Sequence, residues 1–455
     1  MQLLLVQLLC IWLRGSKGFI MSTKNNTISL FSAVVINANI IIGSGVFINT
    51  AELARRAGLL GGLSYFFVGL LLLPLILSFV KLIEMYPSGG FYAYCSTALH
   101  PIVGFINTWC YFFAKLSSAT LSIHIFTLLL QKTFPALAWI DVLTFDIAIL
   151  AVLLGLNMLN VRTGSKIQSW IMLFKLFPLF FVIVSGIFLL QGSNITPIHQ
   201  LWSGIPSAIP LVLHALLGFE TACAISRNLE DPKVDGPRAI IISYSLVIVL
   251  FVLYQTIFYG ILGTDLAAQT DYRGAFPLLI SKFGISDYAR DILGHIIHLA
   301  IATSALSAAF GIIFANMWNL YSLAELGHTI FPAKIMQRNR FNVPFVCVLS
   351  QGIIMFTYLL VMCGETTTFQ QLSAFGATIT YALSIWGLYA IYRQHKHSLI
   401  IPILGLINCL ILLTASLYAM WVTHNPIPLK LFIGITLFGI LIYILSAKKT
   451  LKNHV

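Results

Sequence analysis

The sequence predicts an all-α integral membrane protein with about twelve transmembrane helices. Apolar residues make up 59% of the 455 residues, charged residues make up only 9%, and the mean hydropathy is +0.93. A soluble domain carries about 25% charged residues, so most of this surface has to face lipid. Apolar segments long enough to cross the hydrocarbon core recur with short gaps along the chain. The candidate spans lie near 28–52, 61–80, 102–130, 141–160, 167–190, 204–226, 238–262, 290–324, 345–363, 370–392, 399–421 and 429–446.

The spacing of these segments favours one membrane domain over several soluble domains. We interpret residues 1–20 as an N-terminal appendage or as a mis-assigned start before Met21, because the run MQLLLVQLLCIWL is short for a span. The run also lacks the basic first segment of a signal peptide. The predicted transmembrane domain covers residues 21–455, with helices 1–5 at about 28–190, helices 6–10 at about 204–392 and helices 11 and 12 at about 399–446.

The formal net charge of +12 does not indicate a nucleic-acid partner, because the basic residues lie at the ends of the predicted helices. With the N-terminus in the cytoplasm, 17 of the 26 Lys and Arg residues fall on the cytoplasmic side, and Lys115 and Lys175 lie within spans. This asymmetry follows the positive-inside rule. We therefore expect a multi-pass protein of the cytoplasmic membrane, in contact with lipid, with both termini in the cytoplasm and no nucleic-acid partner.

Two of the apolar segments contain breaks that a simple lipid-facing helix would avoid. IIIGSGVF places Gly43, Ser44 and Gly45 in the middle of the first span, and LHALLGFETACA places Gly218 in the sixth. If helices 1–5 and 6–10 are repeats, these two spans are equivalent, and a matched pair of interrupted helices indicates a transporter binding site. Unwound backbone at membrane depth is tolerated only against protein or a hydrated cavity. The alternative is that the glycines form a small-residue packing face between helices.

Four ordered blocks of sequence resemble the amino acid–polyamine–organocation (APC) superfamily and cover most of the chain. IIIGSGVF is similar to its GSG(I/V)F motif, and EMYPSGGFYAYCSTALHPIVGFINTW is similar to its loop between helices two and three. LGFETACAISRNLEDPKVDGPRAI resembles its sixth helix and the loop that follows, and LYSLAELGHTIFPAKIMQRNRFNVP resembles the loop after its eighth helix. The sequence departs from the family where many members carry an acidic pair, because Arg227 and Asn228 stand there.

The resemblance implies a LeuT-like fold of two inverted five-helix repeats and two further helices, with alternating access around helices 1 and 6. It also implies an amino acid or a related amine as substrate. In the family, the substrate carboxylate meets backbone amides after the first break, and the amino group meets carbonyls at both breaks. The residues that the resemblance assigns to substrate binding are Ile41, Gly43, Ser44, Gly45, Val46, Leu216, Gly218 and Phe219.

Two ionisable side chains are candidates for proton coupling, since a charge within a span costs about 3 kcal/mol or more on insertion scales and needs a reason. Glu220 follows the second break and could take up a proton, contact a cationic substrate or pair across the bundle. Lys175 in the fifth span has no nearby sequence partner and could act as a titrating switch. Lys175 falls where proton-coupled members of the family carry a lysine in place of a sodium ion. The alternative is a permanently charged lysine held by carbonyls.

Lys115 and Phe314 are further candidates for the walls of a central cavity. Lys115 lies midway along the third span, where its ammonium would disfavour polyamines and dibasic substrates, neutralise Glu220 or attract a substrate carboxylate. A helix-face lysine that reaches a polar seam is the alternative. Phe314 in the eighth span aligns with an aromatic residue that faces the substrate in the antiporter branch of the family, and core packing is its alternative role.

Together these patterns predict a secondary active transporter of amino acids that is coupled to protons. The alternative is an antiporter that exchanges basic amino acids or polyamines, with Glu220 as the coupling acid. No HExxH, GxSxG or paired-carboxylate motif indicates an enzyme, and no filter motif indicates a channel. We expect a small-molecule substrate and protons as partners, no cofactor and no metal, and a monomer or a homodimer.

Overall fold

The structure is a computed structural model that describes residues 27–87, 89–159, 161–195, 202–269, 272–362, 365–422 and 424–452. The predicted appendage at residues 1–20 lies outside the described residues. Most of the described chain is helical, and the one extended pairing within it is an isolated parallel bridge between Ile28 and Leu229. The predicted all-α integral membrane fold is confirmed.

The helices of the described chain fall into two series that correspond to the two predicted repeats and the helices after them. The first series is α1 (Leu30–Ile41), α2 (Gly45–Ile48), α3 (Thr50–Ala57), α4 (Leu60–Met85), α5 (Gly90–Ser96), α6 (Pro101–Thr133), α7 (Val142–Asn157) and α8 (Val161–Leu189). The second series is α9 (Ile205–Leu216), α10 (Thr221–Ile225), α11 (Pro232–Leu262), α12 (Thr264–Ala267), α13 (Tyr272–Ser281), α14 (Asp287–Glu325), α15 (Pro332–Ile335), α16 (Phe345–Met362), α17 (Thr366–Gln394), α18 (Ile400–Val422) and α19 (Ile427–Lys452).

Within the described residues, 8 of these helices are long and apolar enough to cross a membrane: α4, α6, α8, α11, α14, α17, α18 and α19. Shorter apolar helices are α1, α7 and α16. The two spans predicted to be broken are divided in the structure, the first into α1, α2 and α3 and the sixth into α9 and α10. When each divided span is counted once, the helices follow the predicted segments in order.

Polar caps fix where several of the spans begin. Asp141 accepts a hydrogen bond from Thr144 N (3.1 Å) at the start of α7, and Asp231 accepts one from Val234 N (3.3 Å) at the start of α11. The first-turn amides of a helix have no partner within the helix, so each cap satisfies one of them. Pro232 at the first position of α11 has no amide to satisfy. The short polar loops therefore set the lengths of the spans.

Buried polar bonds hold both halves of the first broken span. In α1, Asn37 Nδ2 donates to Ser243 Oγ of α11 (2.7 Å), and Asn37 Oδ1 accepts from Ala222 N of α10 (3.1 Å). Beyond the break, Thr50 Oγ1 of α3 lies 3.0 Å from Tyr254 Oη of α11. Unpaired polar groups are costly in an apolar interior, so these bonds fix both halves of the span against α11.

The chain before α1 pairs with the chain after α10. Ile28 N donates to Asn228 O (2.8 Å), and Glu230 N donates to Ile28 O (3.1 Å). These two bonds form the isolated bridge and place the start of the first span beside the end of the sixth. Helices α1 and α10, the halves of the broken spans that are predicted to lie on the inner side, are therefore joined by backbone as well as by Asn37.

We expect Gly387→Ala to destabilise the protein. A Cβ at Gly387 in α17 would lie 2.0 Å from Tyr94 O of α5, which is backbone and cannot rotate away. Overpacking of this kind costs about 1–3 kcal/mol, so the melting temperature of the purified protein in detergent should fall. Gly434→Ala in α19 is the matched control, because nothing lies within 4 Å of a Cβ there. Equal melting temperatures for the two variants would contradict this packing.

Candidate functional site

The first break exposes backbone amides in the middle of the membrane. Helix α1 ends at Ile41, Ile42 has non-helical dihedrals (φ −75°, ψ 79°), and α2 begins at Gly45. Within the described chain, the amides of Ser44, Gly45 and Val46 have no hydrogen-bond acceptor. Amides at the start of a helix carry partial positive charge and favour anions. The geometry is suited to a carboxylate, as the sequence predicts for these residues.

The second break lies against the first. Helix α9 ends at Leu216, Leu217 is extended, and Gly218 has φ +115°, a conformation that side chains other than glycine rarely adopt. A Cβ at Gly218 would lie 3.1 Å from Ile40 Cγ2 and 3.4 Å from the Ile40 carbonyl carbon. Glycine is thus required both by the backbone angle and by the close approach of the two broken spans.

A cavity of about 110 Å³ lies where the two breaks meet α6, α14 and α17. A single water needs only about 10–15 Å³ of such space, so the cavity has room for a small solute. From the breaks it runs along α6 to Ile125 and along α17 to the exposed Gln370, toward the predicted outer end of the bundle. Six of the residues predicted to bind substrate line this cavity: Ile41, Gly43, Ser44, Gly45, Lys115 and Gly218.

The other residues predicted to bind substrate lie behind the cavity wall. Val46, Leu216, Phe219 and Phe314 are each at most 1% exposed, and none of them lines the cavity. A Cβ on Gly164 of α8 would lie 2.9 Å from the ring of Phe314, which places that ring between α8 and α14. A direct role for these four residues in binding stays a prediction.

A layer of buried aromatic rings bounds the cavity at the predicted inner end. Tyr381 lines the cavity, and its ring centroid lies 5.8 Å from that of Phe219. Phe219 in turn lies 5.8 Å from Phe79, and Phe91 stacks on Tyr111 at 4.1 Å. All five rings are almost fully buried. We call these five residues the aromatic layer.

Lys115 and Glu220 form an ion pair beside the second break. Lys115 Nζ contacts Glu220 Oε1, which also accepts from Tyr111 Oη (3.2 Å), and Glu220 Oε2 accepts from Gly218 N (3.1 Å). The carboxylate is fully buried, whereas the lysine is 7% exposed and lines the cavity. The two charges neutralise each other, which was one of the roles that the sequence left open for Lys115.

Lys175 forms hydrogen bonds with backbone groups at the first break. Its fully buried Nζ donates to the carbonyls of Asn39 and Ile42, and Ser304 Oγ donates to Ile42 O at 3.2 Å. Carbonyls in the last turn of a helix lack their helical partners, so the ammonium takes the place of the missing amide donors. Lys175 does not line the cavity. At each break, one buried ionisable side chain therefore pairs with part of the unwound backbone.

Polar residues that were not predicted from the sequence form the far wall of the cavity. Ser118 and Ser122 of α6 and Gln370 and Ser373 of α17 line the cavity away from the breaks. A signal for the first two was available, because Lys115, Ser118 and Ser122 follow the i, i+3, i+7 spacing of one helix face. Gln370 and Ser373 are three residues apart in α17, so they too lie on one face of a helix.

Comparison with known proteins agrees with this architecture. The family model described as "Amino acid permease" matches residues 28–445. The chain is 24% identical over 446 residues to the human cystine/glutamate transporter, and this alignment covers 92% of this chain and 84% of the relative. It is 23% identical over 413 residues to the mouse b(0,+)-type amino acid transporter 1, covering 86% and 82% of the two chains. It is also 27% identical over 305 residues to the amino-acid permease RocE of Bacillus subtilis, covering 63% of each chain.

The match extends over nearly all of the described residues and includes both breaks, the aromatic layer and the ionisable residues Lys115, Lys175 and Glu220. It agrees with the four motif blocks, which lie within the matched range. The chain belongs to the amino acid permease family, within the APC superfamily of membrane transporters.

Proposed function

We propose that the protein is a secondary active transporter that carries amino acids across the cytoplasmic membrane together with protons, by alternating access around the two breaks. The observation that carries the proposal is the cavity of about 110 Å³ that joins both breaks and runs toward one end of the bundle. The charge asymmetry of the loops supports cytoplasmic termini. With that orientation, this conformation would be the outward-facing state of the proposed cycle.

The backbone of the two breaks provides complementary groups for a zwitterion. The free amides of Ser44 and Gly45, which line the cavity, suit the carboxylate of an amino acid. The carbonyl of Leu217, which also lines the cavity, accepts no hydrogen bond within the described chain and suits its ammonium group. Because both sets are backbone groups, this part of the site recognises the common part of all amino acids.

The aromatic layer would have to open for release on the inner side. Beyond it lies a second, smaller cavity of about 10 Å³, which has room for about one water. Gly90 of α5, Cys223 of α10 and Trp318 and Asn319 of α14 line this space. Movement of α1 and α10 away from α14 would join it to the central cavity. We propose this route as the path of release.

Proton coupling is supported by the position of Lys175. Its ammonium donates to two carbonyls of the first break, so loss of its proton would weaken the bonds that hold the break in its present conformation. Lysine can change protonation state when buried, whereas arginine does not. The protonation of Lys175 and the conformation of the first broken span are therefore linked in this proposal.

An antiporter of basic amino acids or polyamines is the alternative, and the geometry favours it less. Glu220 lies behind the break and is already paired with Lys115. The ammonium at the cavity wall is that of Lys115, which would repel a second cationic group. The cavity therefore lacks a free carboxylate for a basic side chain among the described residues that line it.

We expect Gly43→Ala to lower amino acid uptake in proteoliposomes by about tenfold or more without lowering the melting temperature. Nothing lies within 4 Å of a Cβ at Gly43, so the added methyl group would occupy the cavity instead of clashing with protein. Gly155→Ala in α7, at an equally open but lipid-facing site, is the matched control. Normal uptake by Gly43→Ala would place the substrate elsewhere.

We expect Lys115→Met to destabilise the protein and Lys115→Met/Glu220→Gln to recover much of the loss. Removing one partner leaves a buried, unpaired carboxylate, at a cost of about 3–5 kcal/mol. Melting temperatures of the purified variants measure the effect. Arg227→Met breaks the more exposed pair with Glu325 and should cost only about 0–1 kcal/mol. Identical losses in the single and double Lys115 variants would argue against the buried pair.

We expect an inward pH gradient, acidic outside, to stimulate uptake by the wild type and to have no effect on Lys175→Met. Radiolabelled amino acid uptake with and without a protonophore measures this, and counterflow shows whether the variant still binds substrate. Lys282→Met, at an exposed lysine, is the control and should keep the gradient response. Strict one-for-one exchange that ignores the gradient in the wild type would favour the antiporter instead.

A further inference from the structure

We propose that the preferred substrates of this site are small amino acids with an uncharged hydroxyl side chain, serine and threonine, and that Ser118 and Ser373 select them. This inference rests on the proposed function and names the substrate class of the same cavity. The breaks recognise only the common part of an amino acid, so selectivity has to come from the wall opposite them. That wall is formed by α6 and α17.

The first observation is that the far wall presents free hydroxyl groups. Serine hydroxyls within helices normally bond back to a carbonyl one turn earlier, as Ser122 does to Ser118 O (3.0 Å) and Ser78 does to Pro74 O (2.8 Å). The hydroxyls of Ser118 and Ser373 make no such bond within the described chain. Both residues are partly exposed to the cavity. Their hydrogen-bonding capacity is therefore available to a ligand.

The second observation is the charge balance of the cavity. Lys115 is the one charged residue among its described lining residues, and its charge is neutralised by Glu220. A cationic side chain would meet the Lys115 ammonium. An anionic side chain would have to draw Lys115 away and leave Glu220 buried without its partner, which is strongly unfavourable. A neutral side chain incurs neither cost.

The third observation is the apolar part of the wall. Ala215, Ala308, Ala374 and Ala377 line the cavity together with larger aliphatic residues, among them Leu121 and Ile312. Bulky residues such as Tyr381 close its inner end. The cavity of about 110 Å³ has room for several waters, at about 10–15 Å³ of such space for each. Serine and threonine both fit it, so the selectivity between similar side chains comes from the polar groups of the wall.

Hydroxyl selectivity follows from the cost of an unsatisfied polar wall. Valine and threonine have nearly the same shape, but valine would cover the two serine hydroxyls with a methyl group and leave them without a partner. A site built to hydrogen-bond a hydroxyl group rejects the analogue that lacks it. Threonine and serine can both donate to and accept from serine hydroxyls.

The test is competition for uptake in proteoliposomes of the full chain, with radiolabelled threonine as the probe. We expect threonine to bind at least about tenfold more tightly than valine, serine to bind more tightly than alanine, and lysine and glutamate to compete more weakly than any of these. The ratio of the threonine and valine inhibition constants is the deciding quantity, because the pair differs in a hydroxyl group and not in size.

Variants assign the selectivity to the two serines. Ser118→Ala and Ser373→Ala should each lower the threonine-to-valine preference severalfold, whereas Ser350→Ala in α16, outside the cavity, should leave it unchanged. Melting temperatures show whether each variant is folded. If one variant does not fold, the other still tests the proposal. An unchanged preference in both cavity variants would overturn the assignment of these residues.

The outcomes separate this inference from the proposed function. If valine competes as well as threonine, or if a charged or aromatic amino acid is the best competitor, the substrate class proposed here is wrong while amino acid transport stands. If no amino acid or amine is taken up or competes, the proposed function fails and this inference fails with it.

Discussion

Backbone groups that leave a helix within a membrane find no partner in lipid, so each of them needs a partner from the protein, from a ligand or from water in a cavity. The structure meets this constraint at each break with one buried ionisable side chain. Lys175 bonds two carbonyls of the first break, and Glu220 bonds the Gly218 amide at the second. The amides of Ser44 and Gly45 and the carbonyl of Leu217 remain unpaired within the described chain, and these residues line the cavity. The proposed binding site is therefore the place where the two breaks present unsatisfied backbone groups to the cavity.

Much of the architecture could be predicted from sequence because it depends on local properties. Hydropathy predicts the spans, and glycines in the middle of a span predict the breaks, because both signals lie within short stretches of neighbouring residues. The positions of Gly43 and Gly218 were enough to locate the cavity along the helices. The division of the first and sixth spans in the structure lies where those glycines predicted it.

The side chains around the cavity were harder to predict because they depend on how helices turn toward one another. Phe219 follows the second break directly, yet it points into the aromatic layer and away from the cavity. Side-chain contacts between residues far apart in the sequence are equally hard to predict. His124 Nδ1 lies 2.7 Å from Asp146 Oδ2, a buried contact that joins α6 to α7 across a loop and has no sequence motif.

The backbone bridge between Ile28 and the chain after α10 has a mechanical consequence. Because Ile28 bonds Asn228 and Glu230, and Asn37 bonds Ala222, the inner halves of the two broken spans are tied at two levels. Neither half can move alone without breaking some of these bonds. In the proposed cycle the two halves would therefore move together, about the close contact between Gly218 and Ile40, and one displacement would open the predicted inner side of both spans.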